Sequence, residues 1–394
     1  MHYNFDKIVP RSGTNSLKFD HAARYDKPAD AMPLWVADMD FQVAPAITAA
    51  ITTQANHAIY GYTETDDNYY NTVANWFKAY HNYETQAQWL IKTPGIVFAL
   101  GMGIRACTSP GDAILIQKPL YYPIENTIVA NGRRVIDNTL VYRDGKYEIN
   151  FSDFEEKIAK DNIKLFVLCN PHNPGGRVWT HAELYKMGQI CKKYNCAVLS
   201  DEIHCDLTFK NHKHIVFSTV CESFGDFSII CTSPSKTFNI AGLQVSNIFI
   251  SNEDLRQKFA AEIHATGYSQ LNTMGLIACE AAYTHGRDWL DALMHYLSNN
   301  VDFLQRFIEK NMPDVHLIKP EGSYLLWLDF SKLIAAKSTT HESFYEDMLQ
   351  NAKVWLSDGL SFGETGRGFF RINIACPQSV LAQAMERLQL TNFL

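Results

Sequence analysis

Short, nearly unbroken apolar runs alternate along the chain with longer stretches that are apolar on one side only. The runs are Gly111-Asp-Ala-Ile-Leu-Ile-Gln117, Ile163 to Cys169, Ala197 to Ser200, Phe227 to Cys231 and Val245 to Ile250. Each has strand length and lacks the polar alternation of a half-exposed strand, so each reads as a strand buried on both faces. Between them, Phe151 to Lys160 and His181 to Tyr194 repeat their apolar residues three and four apart, the helical spacing. Upstream, Pro45 opens a helical pattern from Ile47 through Ala55, a usual place for proline. Asn68 to Tyr83 sets Val73, Trp76, Phe77 and Tyr80 on one helix face. A turn at Gly95 then leads into an apolar helix reaching Ala106. This alternation predicts an α/β fold, a mainly parallel sheet covered by helices on both faces.

The pattern changes after Glu253. Residues from there to about Lys310 read as mostly helical. Val315 to Ile318, Ser323 to Leu328, Lys353 to Leu356 and Phe369 to Ile374 read as strands, and His341 to Asn351 and Gln378 to Leu388 as helices. The expected organisation is a large domain over 46–285 and a smaller α+β domain over 286–394. An irregular arm, 1–45, precedes them and is expected to pack with the small domain.

In sheets of this kind, ligands bind at the carboxyl ends of the strands. Tyr121, Asn170, Asn173, Asp201 and Lys236 all fall at such ends. Taken singly, each has a plainer reading: core tyrosines, Asn-Pro turns, a helix-capping aspartate, a solvated lysine. Together they make a specific chemical set. A desolvated lysine amine is a nucleophile toward carbonyls. An aspartate can hold a protonated ring nitrogen, a tyrosine can stack on a flat ring, and an asparagine can bond a ring oxygen. Hydroxyls beside the lysine and the amides at the start of the Ile96 helix can hold a phosphate. Pyridoxal 5′-phosphate requires that combination.

Composition removes other classes. The 394 residues are 46% hydrophobic and 20% charged, with net charge −7, and carry no Lys/Arg block, so neither nucleic acid nor an anionic membrane is expected as a partner. No run of about 18 apolar residues and no signal-peptide pattern is visible. Nine cysteines without framework spacing fit free thiols in a reducing cytoplasm. His212 and His214 lack the flanking ligands of a metal site, and no metal is expected. The glycine fingerprint of nicotinamide-binding folds is missing.

Three stretches then become specific: Leu34-Trp-Val-Ala-Asp-Met-Asp-Phe41, Ser200-Asp-Glu-Ile-His204 and Ser235-Lys-Thr-Phe-Asn-Ile-Ala-Gly-Leu-Gln244. With Phe370-Arg-Ile-Asn-Ile-Ala-Cys-Pro377 they extend a likeness over almost the whole chain. The chain resembles fold-type I pyridoxal-phosphate enzymes of the class I/II aminotransferase superfamily, and within it the MalY/PatB-type cystathionine β-lyase (C–S lyase) family. The resemblance implies a large domain with a seven-stranded, mainly parallel sheet, and a homodimer with active sites at the subunit interface. It implies that Lys236 bonds the cofactor and moves the substrate α-proton, that Asp201 pairs with the ring nitrogen, and that Tyr121 stacks on the ring. Asn173 would bond the ring oxygen, and His204 would stand beside it. Ser233, Ser235 and the amides of Ile96 and Val97 would hold the phosphate. Tyr62, with Tyr60 as the alternative, would reach the neighbouring subunit's phosphate. Arg371 and the Ala37 amide would bind the substrate carboxylate, for which a guanidinium fork is well shaped.

Two positions depart from the wider superfamily. His204 stands where many aminotransferases have tyrosine, and Gln244 where many have a phosphate-binding arginine. Both resemble the lyase branch, which implies α,β-elimination of cystathionine or related cysteine S-conjugates to a thiol (homocysteine), pyruvate and ammonia, a reaction of methionine biosynthesis. An aminotransferase would use the same cofactor contacts. So would a pyridoxal-phosphate-binding regulatory protein with residual activity.

Overall fold

The computed structural model describes residues 3–390. Its largest sheet has seven strands in the spatial order Leu90–Thr93, Ser246–Phe249, Ser228–Thr232, Ala197–Asp201, Leu165–Cys169, Ala113–Ile116, Arg134–Asp137. All neighbours from Ser228–Thr232 to Arg134–Asp137 run parallel. Ser246–Phe249 alone opposes both its neighbours. The run at Val245 to Ile250 is therefore a strand as expected, but an antiparallel one within the mainly parallel sheet.

Alternate residues of the central strands enter different apolar layers. Leu165, Val167 and Cys169 pack with Ile96, Leu100 and Ile104 of the helix Ile96–Cys107, whereas Phe166 and Leu168 join the larger core on the other face. Burial on both faces is why these strands read as continuous apolar runs. The helix Ile96–Cys107 lies so close to the sheet that a Cβ on Gly103 would collide with Leu199.

Two strands of this sheet, Leu90–Thr93 and Arg134–Asp137, escape the pattern reading. Both are edge strands with half-exposed, partly charged residues, so they lack the apolar run that marks the centre. Helix and strand limits shift by a few residues elsewhere. The helix expected over Asn68 to Tyr83 runs Asp67–His81, and the strand at Val315 to Ile318 shortens to His316–Leu317.

A second sheet, antiparallel, is ordered His316–Leu317, Leu325–Asp329, Phe369–Asn373, Ser357–Asp358. The expected strand at Lys353 is not part of it: Val354–Trp355 pairs instead with Met32–Pro33 of the N-terminal arm. From there the arm follows the edge of the second sheet. The Asn373 amide donates to the Leu34 carbonyl, and the Asn373 side chain donates to the Val36 and Asp38 carbonyls. Asn239, three residues beyond Lys236, grips the same segment through Met39 and Phe41. The arm thus brings residues 35–41 between the two sheets.

Candidate active site

A cavity of about 420 Å³ opens at the carboxyl ends of the parallel strands, walled by Ile96, Tyr121, Asn173, Asp201, His204 and Lys236. Lys236 stands in a one-turn helix, Pro234–Thr237, directly after strand Ser228–Thr232. Ser233 caps that helix: its Oγ accepts from the Ser235 amide at 3.1 Å and donates to the Val245 carbonyl at 2.7 Å. Ser235 lines the cavity, while Ser233, expected beside it at the phosphate, is turned into this cap and is not on the cavity wall.

The Lys236 amine is largely buried at the cavity wall and donates to the Ala37 carbonyl at 2.5 Å. Burial lowers its pKa to about 8; Arg371 adds to the depression, and Asp38 and Asp201 oppose it. An amine so placed has a far larger neutral fraction near neutral pH than an ordinary lysine. The sequence points to the Ala37 amide; the contact the structure makes is through the carbonyl, which also accepts from the Tyr324 hydroxyl at 3.2 Å.

Asp201 ends strand Ala197–Asp201 and accepts from the Ile203 amide at 3.2 Å. Burial pushes its carboxyl up to about 7, helped by Glu202 and opposed by the Ile203 amide and Lys236. No cation among the described residues pairs with it. A buried carboxylate in that condition is costly until a positive group joins it. His204, in the loop that follows Asp201, has its pKa lowered by burial to about 3 and is a neutral imidazole. Its Nδ1 lies 3.4 Å from Ser323 Oγ.

Arg371 projects from strand Phe369–Asn373 and meets the cavity through Asn173, lying just behind the wall and not on it. It is buried, and burial lowers its pKa to about 10. Its Nη1 donates to Asn173 Oδ1 at 3.1 Å, and its Nη2 donates to the Trp35 carbonyl at 2.9 Å and to Ser357 Oγ at 3.2 Å. Its Nε has no partner, and among the described residues no carboxylate forms an ion pair with it. A buried guanidinium holding an idle donor is suited to an incoming carboxylate.

The helix Ile96–Cys107 begins after Gly95, and Gly95, Ile96 and Val97 line the cavity, as Ser235 does. First-turn amides have no intrahelical acceptor, and the helix dipole favours an anion there. Gln244 also lines the cavity. Tyr121, which follows strand Ala113–Ile116, forms another part of the wall.

Tyr62 is not brought to this cavity. It is 97% exposed and, with Tyr60, flanks a separate groove against residues 268–274. The Tyr60 hydroxyl donates to the Ala55 carbonyl at 3.0 Å. Sequence reasoning also missed contributors to the site. Tyr324 and Ser323 stand just before strand Leu325–Asp329, and no local pattern marks them. Cys169 lines the cavity from a strand end, a position that could have flagged it.

These residues fit a phosphorylated pyridine aldehyde. Asp201 is a buried carboxylate with no ion-pair partner among the described residues, Lys236 is an accessible amine that loses its proton more readily than an ordinary lysine, and the Ile96 helix offers free amides in the same cavity.

Comparison with known proteins gives the family and the fold. The model of the family described as aminotransferase class I and II matches residues 29–388. The chain is 40% identical over 386 residues to cystathionine beta-lyase PatB of Bacillus subtilis (strain 168), covering 98% of this chain and 99% of that one. The crystal structure of cystalysin from Treponema denticola, which contains a pyridoxal 5′-phosphate cofactor, superposes with a TM-score of 0.94 at 36% identity, covering 99% of both chains. The PLP-bound C-S lyase from Staphylococcus hominis gives 0.93 at 34% identity, covering 99% of this chain and 98% of that one. A match of this extent in sequence and fold means that the chain belongs to the aminotransferase class I and II family.

Proposed function

We propose that the protein is a pyridoxal 5′-phosphate-dependent carbon–sulfur β-lyase that cleaves cystathionine or related cysteine S-conjugates to a thiol, pyruvate and ammonia. The observation that carries this is the pairing, in one cavity, of the neutral-prone Lys236 amine with the cation-free carboxylate of Asp201. The relatives named as lyases supply the reaction class.

Bound in the cavity, pyridoxal phosphate supplies an aldehyde that takes up amines and a protonated ring that draws electrons from the substrate α-carbon. Asp201 keeps the proton on the ring nitrogen. Asn173 and His204 would bond or neighbour the ring oxygen, and Tyr121 would stack on the ring, all three lining the cavity. Ser235 and the amides of Ile96 and Val97 hold the phosphate, with Ser233 bracing Ser235. The guanidinium of Arg371 takes the substrate carboxylate through its free Nε–H and a neighbouring N–H. Ala37 lies beside Lys236 and bounds that subsite. Lys236 Nζ would remove the α-proton and could return one to the departing thiolate. Water is consumed as the remaining fragment becomes pyruvate and ammonium.

The functional unit proposed is a homodimer. Tyr62, Tyr60, Ile59 and Val97 are exposed, and an apolar rim of that kind fits a covered interface. Tyr62 then supplies its hydroxyl to the partner's phosphate. The proposed organisation is an arm (1–45), a large domain (46–285) and a small domain (286–394), supported by the two separate sheets and the pairing of Met32–Pro33 with Val354–Trp355. Nine free cysteines support a cytoplasmic location. No helix among the described residues is long and apolar enough to cross a membrane.

The test is K236A. The variant is expected to lose both cystathionine turnover and the visible absorbance of lysine-bound cofactor; retained elimination at more than about one-hundredth of the parent rate sinks the assignment.

A further inference from the structure

A second buried polar cluster meets the helix that carries Lys236, from outside the cavity. The Asp206 carboxylate accepts from the Trp76 indole at 2.9 Å and His81 Nε2 at 2.7 Å through one oxygen, and from the Thr237 hydroxyl at 2.7 Å through the other. The side chains of His81 and Asp206 are 5% and 2% exposed. Burial pushes the Asp206 carboxyl up, and the His81, Thr237 and Trp76 donors outweigh it, so the group is held below its ordinary range. An ionised carboxylate at such a depth costs several kcal/mol unless donors surround it. His81 Nε2, Cys205 Sγ and Asp206 come within 4.8 Å of one another, a spacing a cation could use. The carboxylate oxygens are already committed to three donors, so hydrogen bonding accounts for the cluster.

The mechanism above does not use Asp206, yet its side chain accepts a hydrogen bond from Thr237, next to Lys236. The helix Pro234–Thr237 has four residues and cannot hold itself by its own hydrogen bonds. Its start is fixed by the Ser233 cap and its end by Thr237 on Asp206. Lys236 projects from between these two clamps. The loop that supplies Asp206 also supplies His204 to the cavity, and Asp201 stands at its start. That loop is pinned from its other side by Glu202, which accepts from Ser200 Oγ at 2.7 Å, His214 Nε2 at 2.7 Å and the Phe217 amide at 3.0 Å.

We propose that Asp206 is a positioning residue: through the Thr237 hydroxyl it fixes the direction in which Lys236 enters the cavity relative to Asp201 and His204. This rests on Lys236 being the cofactor-bound lysine. The charged groups that face Lys236 are Asp38 from the arm, Asp201 from the strand end and Arg371 from the second sheet. None of them takes part in the Thr237–Asp206 hydrogen bond, so a change at Lys236 in a Thr237 variant is expected to report its placement.

The experiment compares T237V and T237S with the parent holoenzyme. Two quantities are read: the pH midpoint of the visible absorbance of cofactor on Lys236, and kcat and KM for cystathionine. T237V keeps the side-chain shape and removes the donor. It is expected to lower kcat about tenfold with KM changed less than about threefold, and to move the absorbance midpoint by about half a pH unit or more. T237S is expected to restore both. D206N, which keeps an acceptor for Trp76 and His81, is the second variant and is expected to shift the midpoint in the same direction. A T237V or D206N holoenzyme with the parent's midpoint and kcat overturns the proposal. A parent without the visible band, or a K236A variant that keeps it, overturns the assignment of Lys236 instead.

Discussion

Replacing Asp201 with asparagine should stabilise the cofactor-free protein and weaken its response to the cofactor. The carboxyl ionises at 3.8 in an ordinary setting and at about 7 in the folded, cofactor-free chain. Between those values the folded state holds a proton that the unfolded state has lost, so this group makes stability fall as pH rises from about 4 to about 7. The accumulated cost is about 4 kcal/mol at pH 7.5. Asparagine keeps the acceptor for the Ile203 amide without the charge. Unfolding entropy of about 2.1 cal/mol/K per residue over this chain gives about 0.8 kcal/mol/K, so the variant gains about 5 °C in Tm. Lys236, lowered to about 8, acts in the opposite sense between about 8 and its ordinary 10.5, outside this window. Differential scanning calorimetry of both apoproteins at pH 5 and pH 7.5 reads the difference. The gap should be smaller at pH 5 and several degrees at pH 7.5, with the parent gaining more from added pyridoxal phosphate. An apo D201N that is less stable than the parent at pH 7.5, or a gap independent of pH, refutes the reasoning.

Three further outcomes follow from the same geometry. R371K should raise KM for cystathionine by about tenfold or more with a smaller change in kcat, because a lysine cannot keep the Asn173, Trp35 and Ser357 contacts and also fork a carboxylate; steady-state kinetics with an unaltered KM would remove Arg371 from the subsite. Y62F should leave the Tm of the apoprotein within about 1 °C, since the side chain is exposed, while weakening pyridoxal-phosphate retention on dialysis; equal retention contradicts its place at a partner's phosphate. Sedimentation of the holoenzyme should give a dimer, and an active monomer would contradict the shared site.

The central strands and the residues at their ends were legible because burial on both faces writes a continuous apolar run. Asn173, Asp201 and Lys236 stand where such runs stop, and all three line one cavity. Edge strands Leu90–Thr93 and Arg134–Asp137 carry charge on their open sides and gave no such signal. The arm reads as irregular, and apart from the 3-10 turn Ala22–Tyr25 and the bridge at Met32–Pro33 it is irregular. Nothing local says that it is fastened to Asn373 and Asn239, because those contacts span about 200 to 340 residues of chain. For the same reason the Ala37 carbonyl on Lys236 and the Tyr324 hydroxyl beside it could only be found in three dimensions. Asp206 is a subtler case. It sits in the same acidic stretch as Asp201, but its role depends on which donors the helix Asp67–His81 delivers, and the helical pattern of that stretch gives its apolar face without its neighbours.

The most direct test of the lyase reading is a product balance on purified holoenzyme with cystathionine and no keto acid. Pyruvate and free thiol are assayed in the same samples over time. Equimolar release of the two, continuing over many turnovers, is the predicted result. Absence of both, with amino transfer appearing once a keto acid is supplied, would contradict β-elimination and make the protein an aminotransferase.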